Sequence, residues 1–257
     1  MNAVIAVVPR MRAVSAAVAL GLASAVATAN AQNLPAARAV LARYVEATGA
    51  AKLPSQKGYH VKGTFEVVAQ GLRGTLEGWR DLASGRSVQV LTLPGLGEIK
   101  TGLDAEFGWS TSPFEGAKIL DLKEFTEQRE KDDVRTMQRD PAVVLEALAI
   151  ERTVVDSQPC IVLKLKWKSG RETTECYSEA TGLLVRSEAV ETTSAGAIPT
   201  ITLFSEYKKF GDITMPTKAV QRAAVLEITQ RITDVEFGAV DATKLTPPAE
   251  ILALRKQ

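Results

Sequence analysis

The sequence predicts a mainly β (α+β) protein: a curved antiparallel sheet of about 10 to 11 strands, unclosed as a barrel, with helices covering its concave face. Three observations predict it. From residue 59 to 111, and again from about 150 to 237, apolar and polar residues alternate with a period of two. Short turn signals punctuate these runs: Gln70-Gly71, Pro94-Gly95, Ser169-Gly170, Thr181-Gly182 and Gly211-Asp212. Only two stretches, 35–48 and 121–149, read as helical. Twist accumulates from strand to strand, so so large a sheet has to curl or split, and two helical segments suffice to cover one apolar face.

Residues 13–29 are small, apolar and uncharged, and they follow Arg10 and Arg12. This is the pattern of a signal peptide. Ala29-Asn30-Ala31 supplies the small-x-small cleavage signal, so cleavage is expected before Gln32. The domain division is therefore a signal peptide over 1–31 and a single half-barrel domain over 32–257. No cysteine stands at the cleavage point, so a soluble periplasmic product is expected, with no transmembrane span after cleavage. A monomer is expected.

Residues 35–48 carry Ala37, Val40, Leu41, Tyr44, Val45 and Thr48 on one helical stripe, with Pro35 before it and Gly49 after it. From Tyr59 the period becomes two: Val61, Gly63, Phe65 and Val67 alternate with His60, Lys62, Thr64 and Glu66. A turn at Gln70-Gly71 leads into a strand over 72–80, and further strands are expected at 86–93, 97–103 and 106–111. Residues 121–140 hold seven acidic and five basic side chains, which predicts an exposed, salt-laced helix or a mobile connection. Asp140-Pro141 reads as an N-cap followed by Pro at the first helical position, opening a short apolar helix through Val144, Leu145 and Leu148. The whole segment 121–149 is thus a helical insert or lid across the sheet. Beyond residue 150, Ile161, Leu163, Leu165 and Trp167 share one phase, and strands at 171–178, 183–192, 199–208, 213–222 and 224–237 complete the series. The tail after Thr246-Pro247-Pro248 is expected to pack as a short extended or helical end.

Composition narrows the function. The 257 residues are 46% hydrophobic and 24% charged, with 31 Lys+Arg against 30 Asp+Glu, so the balance lacks the basic excess that nucleic-acid binding requires. One histidine, His60, and two cysteines, Cys160 and Cys176, leave little material for metal or His-dependent chemistry. No H-E-x-x-H, G-x-S-x-G, Walker or dinucleotide pattern occurs. Gly95-Leu96-Gly97 reads as a turn, and Asp132-Asp133 lacks the glycine of a calcium loop. No catalytic residue, metal or cofactor is assigned. His60 falls on the wet phase of its strand. Trp79, Trp109 and Trp167 either line a cavity or fill the core: Trp167 is expected to point inward, and Trp79, set opposite Lys62 on the wetter phase, stays open between the two. For the cysteines, a two-residue loop at Ser169-Gly170 sets Cys176 opposite Leu163 with Cys160 on the other side of the sheet, which forbids a disulfide. A three-residue loop brings both to one side but out of register. Two small buried thiols are the favoured reading, with the disulfide as the alternative.

Several stretches resemble a known family. They are Ala39-Val40-Leu41-Ala42-Arg43-Tyr44-Val45-Glu46-Ala47-Thr48-Gly49, Val61-Lys62-Gly63-Thr64-Phe65, Leu93-Pro94-Gly95-Leu96-Gly97-Glu98-Ile99-Lys100-Thr101-Gly102, Gly108-Trp109-Ser110, Thr181-Gly182-Leu183-Leu184 and Phe210-Gly211-Asp212-Ile213-Thr214-Met215-Pro216-Thr217. Together they resemble uncharacterised exported proteins of the superfamily of outer-membrane lipoprotein carriers, LolA and LolB. Asp104-Ala105 stands where such relatives commonly have Asp-Gly. The resemblance implies an unclosed barrel whose apolar concave face, lidded by helices, holds acyl chains or related apolar ligands.

The resulting expectation is a periplasmic binding protein or carrier that shelters lipid or lipoprotein acyl chains. From strand phase, Val61, Phe65, Val67, Leu163, Leu165 and Trp167 are the ligand-cavity candidates. The alternative is a periplasmic interaction or sensor module that takes an envelope protein partner on the same face, and a third reading is an uncharacterised hydrolase.

Overall fold

The structure, a computed structural model, describes residues 34–193, 196–224 and 226–256. The expected signal peptide and its cleavage site lie outside the described residues. One antiparallel sheet of 13 strands dominates, in the order β6-β5-β4-β3-β2-β1-β13-β12-β11-β10-β9-β8-β7. Its first half holds β1 (Gly58–Val67), β2 (Leu72–Asp81), β3 (Ser87–Leu93), β4 (Gly97–Leu103), β5 (Gly108–Ser112) and β6 (Gly116–Ile119). Its second half holds β7 (Val144–Val155), β8 (Gln158–Trp167), β9 (Glu172–Ser178), β10 (Leu184–Thr193), β11 (Gly196–Phe210), β12 (Ile213–Ala223) and β13 (Leu226–Phe237). The barrel is unclosed: β6 and β7 are the two edges.

The two strands beyond the expected number are these edges. β7 replaces the apolar helix expected after Pro141. Asp140 does cap, but only one turn: its carboxylate accepts the Ala142 N–H at 2.7 Å and its carbonyl accepts Val143 and Val144 N–H. The chain then extends, because Val144, Ile150, Thr153, Val154 and Val155 are β-branched and β8 offers a free ladder. The spacing of Val144, Leu145 and Leu148 fits both periods, and the partner strand decides.

The register can be followed from one half to the other. Phe65 opposes Gln230, which opposes Ala219, which opposes Phe204. Two residues along β11, Thr202 opposes Ser187, Ser187 opposes Glu175, and Glu175 opposes Leu163. Directly opposed residues share a face. Val61, Phe65, Leu163, Leu165 and Trp167 therefore project from one continuous inner face, as their phase predicts.

Helices cover that face. α1 (Ala37–Thr48) presses Ala37, Leu41 and Tyr44 onto Val144, Ile161, Leu163, Leu165, Trp167, Tyr177 and Leu184. It ends at Gly49, left-handed at φ 67°, where a Cβ would collide with the Asp212 carbonyl. A 3₁₀ turn, Ala50–Ser55, continues the cover with Ala50 and Leu53 on Ile213. α2 (Leu122–Asp132), closed by a capping box between Asp121 and Glu124, and the short α3 (Val134–Met137) connect the two edge strands. The expected exposed or mobile segment is instead docked: Glu124, Glu127 and Glu130 are buried. The outer face of the first half is covered by the C-terminal segment, where Leu245 and Ile251 of α4 (Ala249–Leu254) and the turn before it pack on Val88 and Trp109.

Candidate functional site: a cavity between the sheet and α2

A cavity of about 500 Å³ lies on the inner face of β1–β4, roofed by α2. That volume falls within the range of small-molecule sites. Its apolar wall is Val61, Leu76, Leu103, Leu120 and Ile232, with Gln89, Thr101, Gln128 and Gln230 adding neutral polar groups. Gly78, directly opposite Val61, also lines the cavity, and its lack of a Cβ lets the Val61 side chain pack across it.

Arg80 and Asp132 form the charged end. The Arg80 guanidinium lies 3.1 Å from the Asp132 carboxylate and also donates to the Asp132 carbonyl. Ser87 donates to the same carboxylate at 2.7 Å, and Tyr59 accepts from Arg80 at 3.4 Å. Burial works against the Arg80 charge, but Tyr59 and Asp132 more than offset it, so its pKa stands above the ordinary guanidinium value. This pair fastens the last turn of α2 to β2. Lys118 with Glu124 at 3.7 Å and Arg129 with the Gly85 and Asp104 carbonyls add to that side.

The other side of the roof is fastened to β8–β10. Glu130 accepts the Ser169 N–H at 2.8 Å and the Ser169 hydroxyl at 2.6 Å, with Arg171 at 3.7 Å. Glu127 accepts from Thr192, and Lys131 pairs with Glu191. Below it, Arg139 is buried 3.0 Å from Glu175, with its guanidinium 4.8 Å from the Tyr44 ring centre and 5.2 Å from that of Trp167. Tyr177 and Thr173 also donate to Glu175. Burial alone would lower the Arg139 pKa, and Glu175 with the two tyrosines raises it instead. Burial, in turn, holds the Tyr44 and Tyr177 phenols above their ordinary value.

The sequence candidates divide between two places. Val61 lines the cavity. Phe65 is buried beside it, its ring lying over Gly74. Val67 sits at the far end of β1 and is half-buried. Leu163, Leu165 and Trp167 belong to the core beneath α1, each 1% exposed or less. The strand phase placed all of them inward, but strand phase carries no information on which part of the face a helix fills. Arg80, Asp132, Arg139 and Glu175 were not found from sequence; the one signal available was their placement as charged residues on inward phases or in the insert.

On the outer face, His60 stacks on Trp79 with ring centres 5.1 Å apart and bonds Glu77 at 2.8 Å, in keeping with the phase read for His60; Trp79 stands opposite His60, not Lys62, and is half-buried against the cluster of Val88, Trp109, Leu245 and Ile251. The cysteines require a correction. Cys160 and Cys176 are joined in a disulfide, with Cα atoms 5.7 Å apart. The hairpin loop has three residues, 168–170, between Trp167 and Arg171, so Cys176 faces Val162 and Cys160 faces Ser178. Both thus share the outer face as diagonal neighbours, which is within disulfide reach. Left-handed Gly170, at φ 89°, allows the longer loop.

Solved structures share this architecture. A LolA superfamily protein from Nitrosomonas europaea superposes with a TM-score of 0.55 at 11% identity, over 83% of this chain and 99% of its own. The chain has the LolA-like fold. A DUF1329 family protein from Desulfovibrio piger gives a TM-score of 0.56 at 12% identity, over 81% of this chain and 96% of that one. A putative outer membrane lipoprotein-sorting protein domain from Vibrio parahaemolyticus gives 0.56 at 9% identity, over 82% and 97%. No family model matches the sequence, and no curated protein matches it. Among the described residues, no helix is long and apolar enough to cross a membrane.

Proposed function

We propose that this LolA-like chain is a periplasmic carrier that shelters an acyl chain of a lipid or lipoprotein in the cavity between β1–β4 and α2. The observation that carries the reading is the cavity itself: about 500 Å³ on the inner face, walled by Val61, Leu76, Leu103, Leu120 and Ile232. Each methylene moved from water into such a wall contributes about 0.8 kcal/mol, so a chain of ordinary length gains enough to leave water yet is still exchangeable with a membrane. The Cys160–Cys176 disulfide supports an oxidising compartment, in line with export and cleavage before Gln32.

The roles follow from position. Val61, with Phe65 behind it, supplies apolar contact, and Gly78 gives the Val61 side chain room to pack across the ladder. The Arg80–Asp132 pair closes one end with no net charge, so an uncharged chain meets no unpaired ion. Leu163, Leu165 and Trp167 hold the frame on which the roof is fastened.

Mass spectrometry of organic extracts from protein purified from periplasm without detergent tests the proposal. Co-purifying acylated molecules at near one per chain are expected. Protein that carries none, and takes up none of a fluorescent acyl probe, refutes it.

A further inference from the structure

The cavity between β1–β4 and α2 has one corner that is polar yet carries no unpaired charge. Across β2, β3 and β4 its floor is laid in two adjacent rows, Arg80-Ser87-Leu103 and Gly78-Gln89-Thr101, whose opposed residues share the inner face without a register shift. Gln128 of α2 and Gln230 of β13 face the same space. Gln89, Thr101, Gln128 and Gln230 make no side-chain hydrogen bond to any other described residue. Thr101 and Gln128 are exposed, so this corner lies nearer the mouth than Leu76 and Leu103, which are buried. Arg80, 8% exposed, lines the corner too, and its buried Nε has no hydrogen-bond partner. A buried donor left without an acceptor is rare and costly in a folded protein. Among the described residues lining the cavity, Arg80 and Asp132 alone carry charge, and they pair with each other.

We propose, resting on the carrier function above, that this corner is a head-group subsite for a neutral hydroxylated ester: an acyl chain esterified to glycerol. The ester carbonyl accepts from Arg80 Nε, and the glycerol hydroxyls meet Asp132, Gln89 and Thr101. The class follows from the donors and acceptors on the wall. Ser87 and Arg80 both engage Asp132 Oδ2, which leaves Oδ1 to accept from a hydroxyl. A carboxylate or phosphate head offers that oxygen no hydrogen bond and adds a negative charge beside it, with no unpaired cation on the wall to answer it. An ammonium head meets the same difficulty at Arg80. A glycerol ester brings an acceptor, donors and no charge, and its hydrocarbon extends to the apolar wall at Val61, Leu76 and Ile232. The same head occurs in a free monoacylglycerol and in the acyl-glyceryl anchor of a lipoprotein.

Displacement of a fluorescent acyl probe from the purified chain at neutral pH tests the subsite. The competitors share one acyl length: a monoacylglycerol, an acyl-glyceryl-cysteine peptide, the free fatty acid, the acylglycerol phosphate and the alkylammonium. At least one glycerol ester is expected to bind about tenfold or more tightly than every charged competitor, and which of the two does so identifies the source. The double variant Gln89→Leu, Thr101→Val, which keeps shape but removes hydrogen-bonding groups, should shrink that preference at least about fivefold and leave fatty-acid affinity unchanged. Arg80→Lys, which keeps the charge but loses Nε, should shrink it likewise in folded protein. Thr92→Val, on the outward face of β3, should alter nothing. A charged competitor that binds as well as both esters overturns the subsite, as does a preference that survives Gln89→Leu with Thr101→Val; in either case probe uptake still supports the carrier. A chain that takes up no probe loses the carrier function and this subsite together.

Discussion

Gly78 stands directly across the β1–β2 ladder from Val61, so close that a Cβ on it would lie 2.9 Å from Val61 Cγ1. Glycine is thus what lets the Val61 side chain pack across the strand, and both residues line the cavity.

A larger side chain at Val61, on the cavity wall, should weaken binding without unfolding the chain. Val61→Trp is expected to reduce affinity for a fluorescent acyl probe by at least about tenfold, equivalent to about 1.4 kcal/mol. Lys62→Trp, one residue on and facing outward, should leave it unchanged. Fluorescence titration of both variants decides, and equal affinities would show that the probe sits elsewhere.

The ion pair beneath α3 makes a different prediction. Arg139 and Glu175 are each nearly inaccessible, so deleting one partner strands a buried charge. Glu175→Leu is expected to cost about 3–5 kcal/mol in urea unfolding, and combining it with Arg139→Met to recover most of that loss. Additive losses would mean that the aromatic cage, rather than the pairing, holds Arg139 in place.

The disulfide closes a hairpin with a sequence separation of 16. Restricting a loop of that size in the unfolded chain stabilises by about 3 kcal/mol. The double variant Cys160→Ala, Cys176→Ala should show that loss in denaturant midpoint, while acyl binding persists because the bond lies on the outer face. Loss of binding in a folded double variant would contradict that separation.

Alkaline pH should weaken the fold through its phenols. Burial raises the pKa of Tyr44, Tyr177 and Tyr207 above the ordinary value, with Arg139 opposing and Glu175 reinforcing the shift at each. The unfolded chain begins releasing these protons near pH 10, where the folded chain still holds them. The stabilisation is therefore complete below about pH 10 and lost as pH rises toward the folded-state values, by up to about 1.4 kcal/mol per pH unit for each phenol. Tyr207→Phe, which removes a hydroxyl bonded to the Leu184 carbonyl at 2.6 Å, should lessen that slope by roughly a third. An unchanged slope would exclude Tyr207 from the effect.

Local pattern made much of this legible. The period of two located the strands from β1 to β5 and from β8 to β13, and the helical stripe of Ala37, Leu41 and Tyr44 located α1, because burial of one face imposes its period on the residues that form it. Phase also assigned Val61 and Leu165 to the same side of a sheet whose strands lie far apart in sequence. It failed at β7, where Val144, Leu145 and Leu148 satisfy both periods, and at the cysteines, where one extra loop residue reversed which side Cys176 faces.

What the sequence by itself determined is the antiparallel sheet and its apolar side, since these rest on interactions between near neighbours. Tertiary structure alone decided where the inner face stays open: α1 fills it over Leu163 and Leu165, while α2 bridges it over Val61. That choice depends on charged contacts between distant residues, Arg80 with Asp132 and Glu130 with Ser169 and Arg171, and no periodicity records which distant charges will meet.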